Sequence, residues 1–447
     1  MAPTLQDLTH AMLDAALRAG ADAADALAMD GASIGIDLRA GALEKAERAE
    51  GTDMGLRVLI GGRQACVSAS DTSPATIAAI AERAVAMARE APEDPYVGLA
   101  TSDQITRAWD LAALDLTDST PEPSAATLED TARRTEAAAM ALQGITQVEA
   151  SASYWQRSMH LAATNGFSGG YARTGHSVSA VAFTGSGTGM ERDWAAEGRT
   201  YLAELPSAEE IGHRAAERAL QRVGATKPKT GTYSVVYDER VSSSLIGHLL
   251  SAINGNAIAR GASWLLNGMD SQVLPEHLSL YEDPHRPRMS GSRPFDAEGL
   301  PTAKRTIVDA GTLRTWTLDL ATARKLGLQS TANAARGPSS PPSPSTSNID
   351  LTQSALTRAD LIRDMGTGLL ITSMIGSTIN PTTGDYSRGA SGFWVENGEI
   401  LYPVNECTIA GNLRDMLKRI VPANDARAHL SMRVPSLLVE GMILAGA

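Results

Sequence analysis

Cysteine is almost missing from this chain: 447 residues contain only Cys66 and Cys407, far apart. That excludes a disulfide framework and any zinc site built on paired cysteines. Aromatic residues are also few, at 4%. The cores are therefore expected to be built from Ala, Val, Leu and Ile at close backbone approach. Basic charge is in deficit, with a net charge of −12 and no run of Lys or Arg. A nucleic-acid surface needs cations to displace phosphate counterions, so direct nucleic-acid binding is not expected. No apolar stretch approaches the roughly 18 residues of a membrane span. The opening MAPTLQDLTHAMLDAALRAGAD reads as an amphipathic helix containing acids, without the basic start and apolar run of a signal peptide. A cytoplasmic protein without a membrane partner is the expectation.

The usual signatures of catalysis are missing as well. None of the eight histidines has another four residues away, the spacing that turns two imidazoles to one helix face for zinc. No G-x-S-x-G elbow leads a strand into a helix. GSGTG at 185–189 is followed by Met190-Glu191-Arg192-Asp193, with no Gly-Lys-Ser/Thr, so it reads as a turn between strands and not as a phosphate loop. Serines are plentiful, and composition alone leaves a Ser-His-Asp arrangement open.

What is present is a regular alternation of elements. At 447 residues two or three domains are expected. A helix is predicted over residues 4–29, with Leu5, Leu8, Met12, Leu13 and Leu17 on one side. Strands SIGIDLRAG, MGLRVLI and ACVSAS follow, with a hairpin at Gly61-Gly62. A helix over 72–90 has Thr72 or Ser73 as cap and Pro74 in its first turn. Residues 91–123 read as a connector, after which the helix-then-strands pattern recurs, with a tight turn at Asn165-Gly166. A boundary falls near residue 225. The fold class is α+β, with an N-terminal domain over 1–224 (two units, 1–95 and 122–224) and a β-rich C-terminal domain over 225–447. GPSSPPSPSTSNID, residues 337–350, is too rich in Ser and Pro for regular structure and reads as a surface loop.

Two stretches hold the candidates for function. LIGHLLSAINGNAIARG, 245–261, is a helix with a lone histidine, His248. Its apolar side carries Leu245, Ile246, Leu249, Leu250 and Ile253, while Ser244, His248, Ser251 and Gly255 form a small polar stripe. The simple reading is a core helix whose small face admits another backbone, with His248 hydrogen-bonded to it; the alternative is a stripe that lines a cleft. PTTGDYSRGASGFWVENGEILYPV, 381–404, runs through Gly389, Ser391 and Gly392 into a hairpin at Asn397-Gly398. Its bare backbone suits close approach of another strand, a peptide edge or a subunit contact. His248, Ser244, Asn254 and Arg260, with Asp385, Tyr386, Arg388 and Trp394, are the candidate cleft or interface residues.

MERDW at 190–194, SSLIGHLLSAINGNAIARGASWL at 243–265, GDYSRGASGFWVENGEILYPVNECTIAGNLRDML at 384–417 and RVPSLLVEGMILAG at 433–446 together resemble the TldD/PmbA family. The match is to its PmbA (TldE) branch, once called modulators of DNA gyrase, and covers nearly the whole chain. The resemblance implies a barrel-like C-terminal sheet. It also implies a pairing: the TldD branch is a zinc metallopeptidase with a helical His-Glu-x-x-x-His motif and a later Cys, and the PmbA branch is its heterodimeric partner without those ligands. Aligned on Gly261-Ala262-Ser263, the first His and the Glu fall on Ile246 and Gly247, and the second His falls on Ser251. His248 is out of register, and Cys407 lies in a different motif. The resemblance thus implies no cofactor here, with zinc in a TldD-type partner, a peptide substrate for the pair, and a homodimer when the chain is alone. The rival readings are an autonomous peptidase using His248 with nearby serines and acids, and a protein-binding regulator of gyrase.

Overall fold

The computed structural model describes residues 3–446. The first helix, α1 (Leu5–Arg18), is capped by Thr4, whose side chain accepts from the Asp7 N–H while Asp7 returns a bond to the Thr4 backbone. It ends eleven residues short of the predicted 29. Gly20, at φ +99°, breaks the helix, and ADALAMD enters strand β1 (Ala23–Arg39) instead. There Ala24, Ala26 and Ala28 lie under helices while Leu27 packs on the opposite face. Burial from both sides overrides the helix preference of alanine.

β2 (Ala42–Ile60), β3 (Arg63–Ala69) and α2 (Pro74–Glu90) complete the first unit. The Gly61-Gly62 hairpin and the Ser73 cap form as expected. The connector holds only a single helical turn, α3 (Leu111–Leu114). The second unit comprises α4 (Ala125–Met140), β4 (Ile145–Ala163), β5 (Ser168–Thr184), β6 (Glu191–Arg199) and α5 (Ala208–Leu220). GSGTG forms the turn between β5 and β6. The two units share one antiparallel sheet of order β3-β2-β1-β4-β5-β6, joined where residues 25–39 of β1 pair with 149–163 of β4. Even-numbered residues of β1 face the helices at both ends of the strand. Ala24, Ala26 and Ala28 lie in the cluster with α1 and α2, and Ile34, Ile36 and Leu38 in the cluster with α4 and α5.

The second half begins with β7 (Gly231–Tyr237), then α6 (Glu239–Ala252) and the short α7 (Gly255–Ala259). An excursion follows, carrying β8 (Leu280–Glu282), β9 (Arg305–Asp309), β10 (Thr312–Leu313), α8 (Leu320–Leu326), β11 (Ala334–Ala335), β12 (Ser343–Pro344) and β13 (Ile349–Leu351). The chain then makes α9 (Arg358–Met365), β14 (Gly368–Ile379), β15 (Asp385–Glu396), β16 (Glu399–Asn412) and α10 (Leu413–Leu417). β17 (Val421–Pro422), β18 (Met432–Arg433) and β19 (Leu437–Ala445) end it. β16, β15, β14, β7 and β19 form a five-stranded barrel, closed by β16 pairing with β19. The expected barrel-like sheet is present.

The scarce aromatics are not spread evenly. Trp109, Phe167 and Tyr171 surround Phe295, with ring centroids 4.8, 5.0 and 5.6 Å away, on the helix-free face of the large sheet. This knot joins the excursion to the first half. Beside it, Asp25 of β1 takes Arg57 of β2 on one carboxylate oxygen and Arg336 of the excursion on the other. The Ser/Pro-rich segment that begins just after Arg336 is regular only at β12 and from Ile349 onward. Pro338 lies so close to β2 that a Cβ on Gly55 would sit 2.1 Å from its carbonyl oxygen.

Candidate functional site

α6 is placed by its N-cap. The Asp238 side chain accepts from the Arg240 N–H and is itself held by Arg240 and Arg358. Its apolar stripe, Leu245, Ile246 and Leu249, is fully buried in the barrel core with Tyr237, Tyr386, Ala390, Cys407 and Ile409. The predicted single helix over 245–261 is instead two. α6 ends at Ala252, and Asn254 caps α7 through the Asn256 N–H while donating to the Pro344 carbonyl at 2.8 Å. Gly255 therefore leaves the polar stripe and is buried, where a Cβ would meet Thr322 Oγ1 at 2.6 Å.

The remaining stripe is quiet chemically. Ser244 Oγ donates to the Val241 carbonyl and Ser251 Oγ to the Gly247 carbonyl, both bonds within the helix. Gly247 faces open space, with nothing within 4 Å of a Cβ built on it. The expected hydrogen bond from His248 to a neighbouring backbone is not made. His248 Nε2 is buried without a partner among the described residues, and the ring sits edge-on to Tyr386 at 5.9 Å. Burial, and then the positive charge of Arg388, hold the imidazole below its usual pKa, so it is neutral at pH 7.

Of the candidates, His248, Tyr386 and Arg388 thus come together. Tyr386 is buried, with its hydroxyl 3.5 Å from that of Tyr237, and burial raises its pKa. Arg388 donates to the Gly376 carbonyl at 2.8 Å. The others stand apart. Trp394 is a core residue packed edge-on to Tyr233 at 5.0 Å. Arg260 is exposed at the end of α7. Asp385 closes a local turn with Thr383 and Asn412, whose bonds hold its carboxyl below the usual range. The peptide edge suggested for the bare backbone at Gly389, Ser391 and Gly392 does not survive: β15 pairs with β14 on one side and β16 on the other along this stretch. Its glycines serve that internal approach, for a Cβ on Gly392 would lie 1.9 Å from the Leu370 carbonyl oxygen.

Three segments of the chain match one family: PmbA/TldA metallopeptidase domain 1 over residues 24–88, the central domain over 118–223 and the C-terminal domain over 230–446. The chain belongs to the PmbA/TldD family. It is 34% identical over 427 residues to Metalloprotease PmbA of Escherichia coli O157:H7, covering 95% of this chain and 92% of that one. It is 33% identical over 454 residues to the Metalloprotease PmbA homolog of Haemophilus influenzae, covering 99% and 96%. A crystal structure of a Bacteroides thetaiotaomicron protein, named for a proposed modulation of DNA gyrase, superposes with a TM-score of 0.89 at 28% identity over 98% of each chain. The structure of TldE from Thermococcus kodakarensis, at 18% identity over 98% of this chain and 99% of that one, shares the fold with a TM-score of 0.83.

A PmbA/TldD metallopeptidase site would need about three donors around one open metal position. α6 supplies one imidazole, set beside a guanidinium. Cys407 is a buried thiol, pushed up to about 11 by burial and hydrogen-bonded to the Ala390 carbonyl. Among the described residues no group of three or more His, Cys, Asp or Glu is disposed to hold a metal ion. The described residues do not fit one. No helix among the described residues is long and apolar enough to cross a membrane.

Sequence reasoning missed a second polar concentration, where α5 meets the barrel. Asp193, Asp238 and Glu239 are held there by Arg222, Arg240, Arg358 and Arg427. Glu191, Arg192 and Asp193, adjacent in MERDW, are not paired with one another. The partners instead come from distant segments, and Arg192 is exposed.

Proposed function

We propose that this chain is the non-catalytic, PmbA/TldE-type subunit of a heterodimer with a TldD-type zinc metallopeptidase, and that it supports cleavage of peptides or small unfolded proteins by that partner. One observation carries the reading. In the family register the positions of the first histidine, the glutamate and the second histidine hold Ile246, Gly247 and Ser251. Ile246 is fully buried in the barrel core, Gly247 has no side chain, and Ser251 is bonded back to its own helix. Without a carboxylate at Gly247 there is no general base for a metal-bound water. The helix is kept as a wall, and the chain supplies shape and contact surface. In the absence of a partner, the same surface forms a homodimer.

Co-expression with a TldD homologue tests this. The two chains are expected to co-purify, and the TldD homologue to cleave peptides faster in the pair. Failure to co-purify, together with equal cleavage without this chain, would overturn the reading. So would robust peptide cleavage by the isolated, chelator-treated chain that His248→Ala abolishes.

A further inference from the structure

A cavity of about 530 Å³ opens between α5 and the outer face of the barrel, a size in the range of small-ligand sites. Two β-bulges shape its walls. Between Ile371 and Ser373 the β14 register slips against β15, leaving Thr372 as the extra residue. Between Trp394 and Val395 the β16 partner jumps from Tyr402 to Ile400, leaving Leu401 as the extra residue. Bulges re-aim side chains that strict alternation would send elsewhere. Thr372 is only 6% exposed, lines the cavity, and its Oγ1 has no partner among the described residues. Ile400, Leu401 and Tyr402 are all exposed in succession beside it.

The charges are unevenly matched. Of the arginines lining the cavity, Arg214 is paired with Glu197 and Glu210, Arg240 with Asp193 and Asp238, and Arg358 with Asp238. Arg218 has no carboxylate within ion-pair distance among the described residues; it gives one bond to the Trp194 carbonyl at 2.9 Å. Burial and the charge of Arg240 push it down to about 10, against the opposing but more distant charges of Asp193, Asp238 and Glu239, so it remains a cation at neutral pH without a direct ion pair among the described residues. Glu217 at the rim and Asp238 and Glu239 in the wall disfavour a multiply charged ligand. Thr226 pairs along the other edge of β16 at Pro403–Asn405, but the backbone of Ile400–Tyr402 pairs only with β15 among the described residues, which leaves that short stretch open to an added strand.

We propose that this cavity binds the C-terminal residue of an apolar peptide, its carboxylate on Arg218 and the Thr372 hydroxyl, its side chain against Leu401 and Tyr402, and its backbone along the open stretch of β16. The inference stands apart from the partner-subunit reading, because binding is read on the isolated chain. Titration calorimetry with acetyl-Leu-Leu as the free acid, its C-terminal amide, and octanoate provides the test. The acid is expected to bind saturably, with the amide and octanoate at least tenfold weaker. Arg218→Met and the isosteric Thr372→Val should each weaken the acid, the first by tenfold or more, with thermal melts unchanged. Equal affinity for acid and amide, absence of saturable binding, or full affinity retained in Thr372→Val would overturn the proposal. Octanoate binding better than the peptide acid would overturn it too, by showing a site for a free carboxylic acid. If Arg218→Met does not fold, Thr372→Val decides.

Discussion

Replacing Asp25 with asparagine tests how the two halves of the molecule are held together. The Asp25 carboxylate is 4% exposed and serves two guanidiniums, those of Arg57 and Arg336, which are 4% and 1% exposed. The substituted side chain would keep the shape but leave two buried cations facing a neutral amide. Removing one partner of a buried ion pair costs about 3–5 kcal/mol, and here one substitution strips two. Arg336→Met, by contrast, leaves Asp25 fully engaged with Arg57 and removes a buried cation, so the loss reduces to charge-assisted hydrogen bonds worth about 1–3 kcal/mol. Urea unfolding followed by tryptophan fluorescence suits the measurement, because Trp109 packs on Phe295 at this junction. Glu298 adds a second readout. It is buried next to Arg57 and therefore available to supply the missing charge. The destabilisation by Asp25→Asn should shrink as pH rises from about 6 to 9 and Glu298 ionises. If Arg336→Met costs as much as Asp25→Asn, or if the Asp25→Asn loss is flat with pH, the account of this junction is wrong.

Glu298 itself predicts a pH dependence in the unsubstituted protein. Burial, then the charges of Asp296 and Asp319, raise its pKa to about 8 from 4.5. Because the folded pKa is the higher one, its contribution is fully present below about pH 4.5 and is lost as pH rises through about 8. Glu298→Gln keeps an acceptor for the Leu320 N–H, so its melting temperature should fall less steeply than that of the parent between pH 5 and 8; parallel curves would rule the effect out. Gly247→Ala fills open space in a helix interior and is expected to stabilise by about 0.5–1 kcal/mol in denaturant titrations. Gly392→Ala, forced against the Leu370 carbonyl, should destabilise by about 3 kcal/mol or more. The reverse order of these two would contradict the placement of α6 and β15.

Much of the architecture was legible because local signals and tertiary burial agree. Ser73 with Pro74 starts a helix, and the Gly61-Gly62 and Asn397-Gly398 pairs turn hairpins. The apolar stripe of α6, Leu245 through Leu249, is buried as its period requires. The failures arise where distant segments decide. ADALAMD looked helical, because nothing local shows that β1 is covered on both faces. Gly255 looked like one more turn of the Ser244–Ser251 stripe, because the Asn254 bond to Pro344 spans ninety residues. The bulges at Thr372 and Leu401 had no local mark beyond a polar residue in GLLITSMIG and an exposed apolar run in EILYPV. Arg218 lies in a helix rich in charge, and only the folded arrangement of its neighbours sets it apart.

The pairing of β1 with β4 has a consequence for how this chain can be divided. The segment that matches as domain 1 ends at residue 88 and the central-domain match begins at 118, near the end of the connector, which is exposed over residues 119–122. The backbones of the two segments are laced together along residues 25–39 and 149–163. A protease nick near Pro121 would therefore produce two polypeptides but still one particle. The first unit made alone would present β1 as a bare edge with no strand to meet it. These two units are separable as stretches of sequence, but each takes core residues from the other, Ala162 in the first and Ile34, Ile36 and Leu38 in the second.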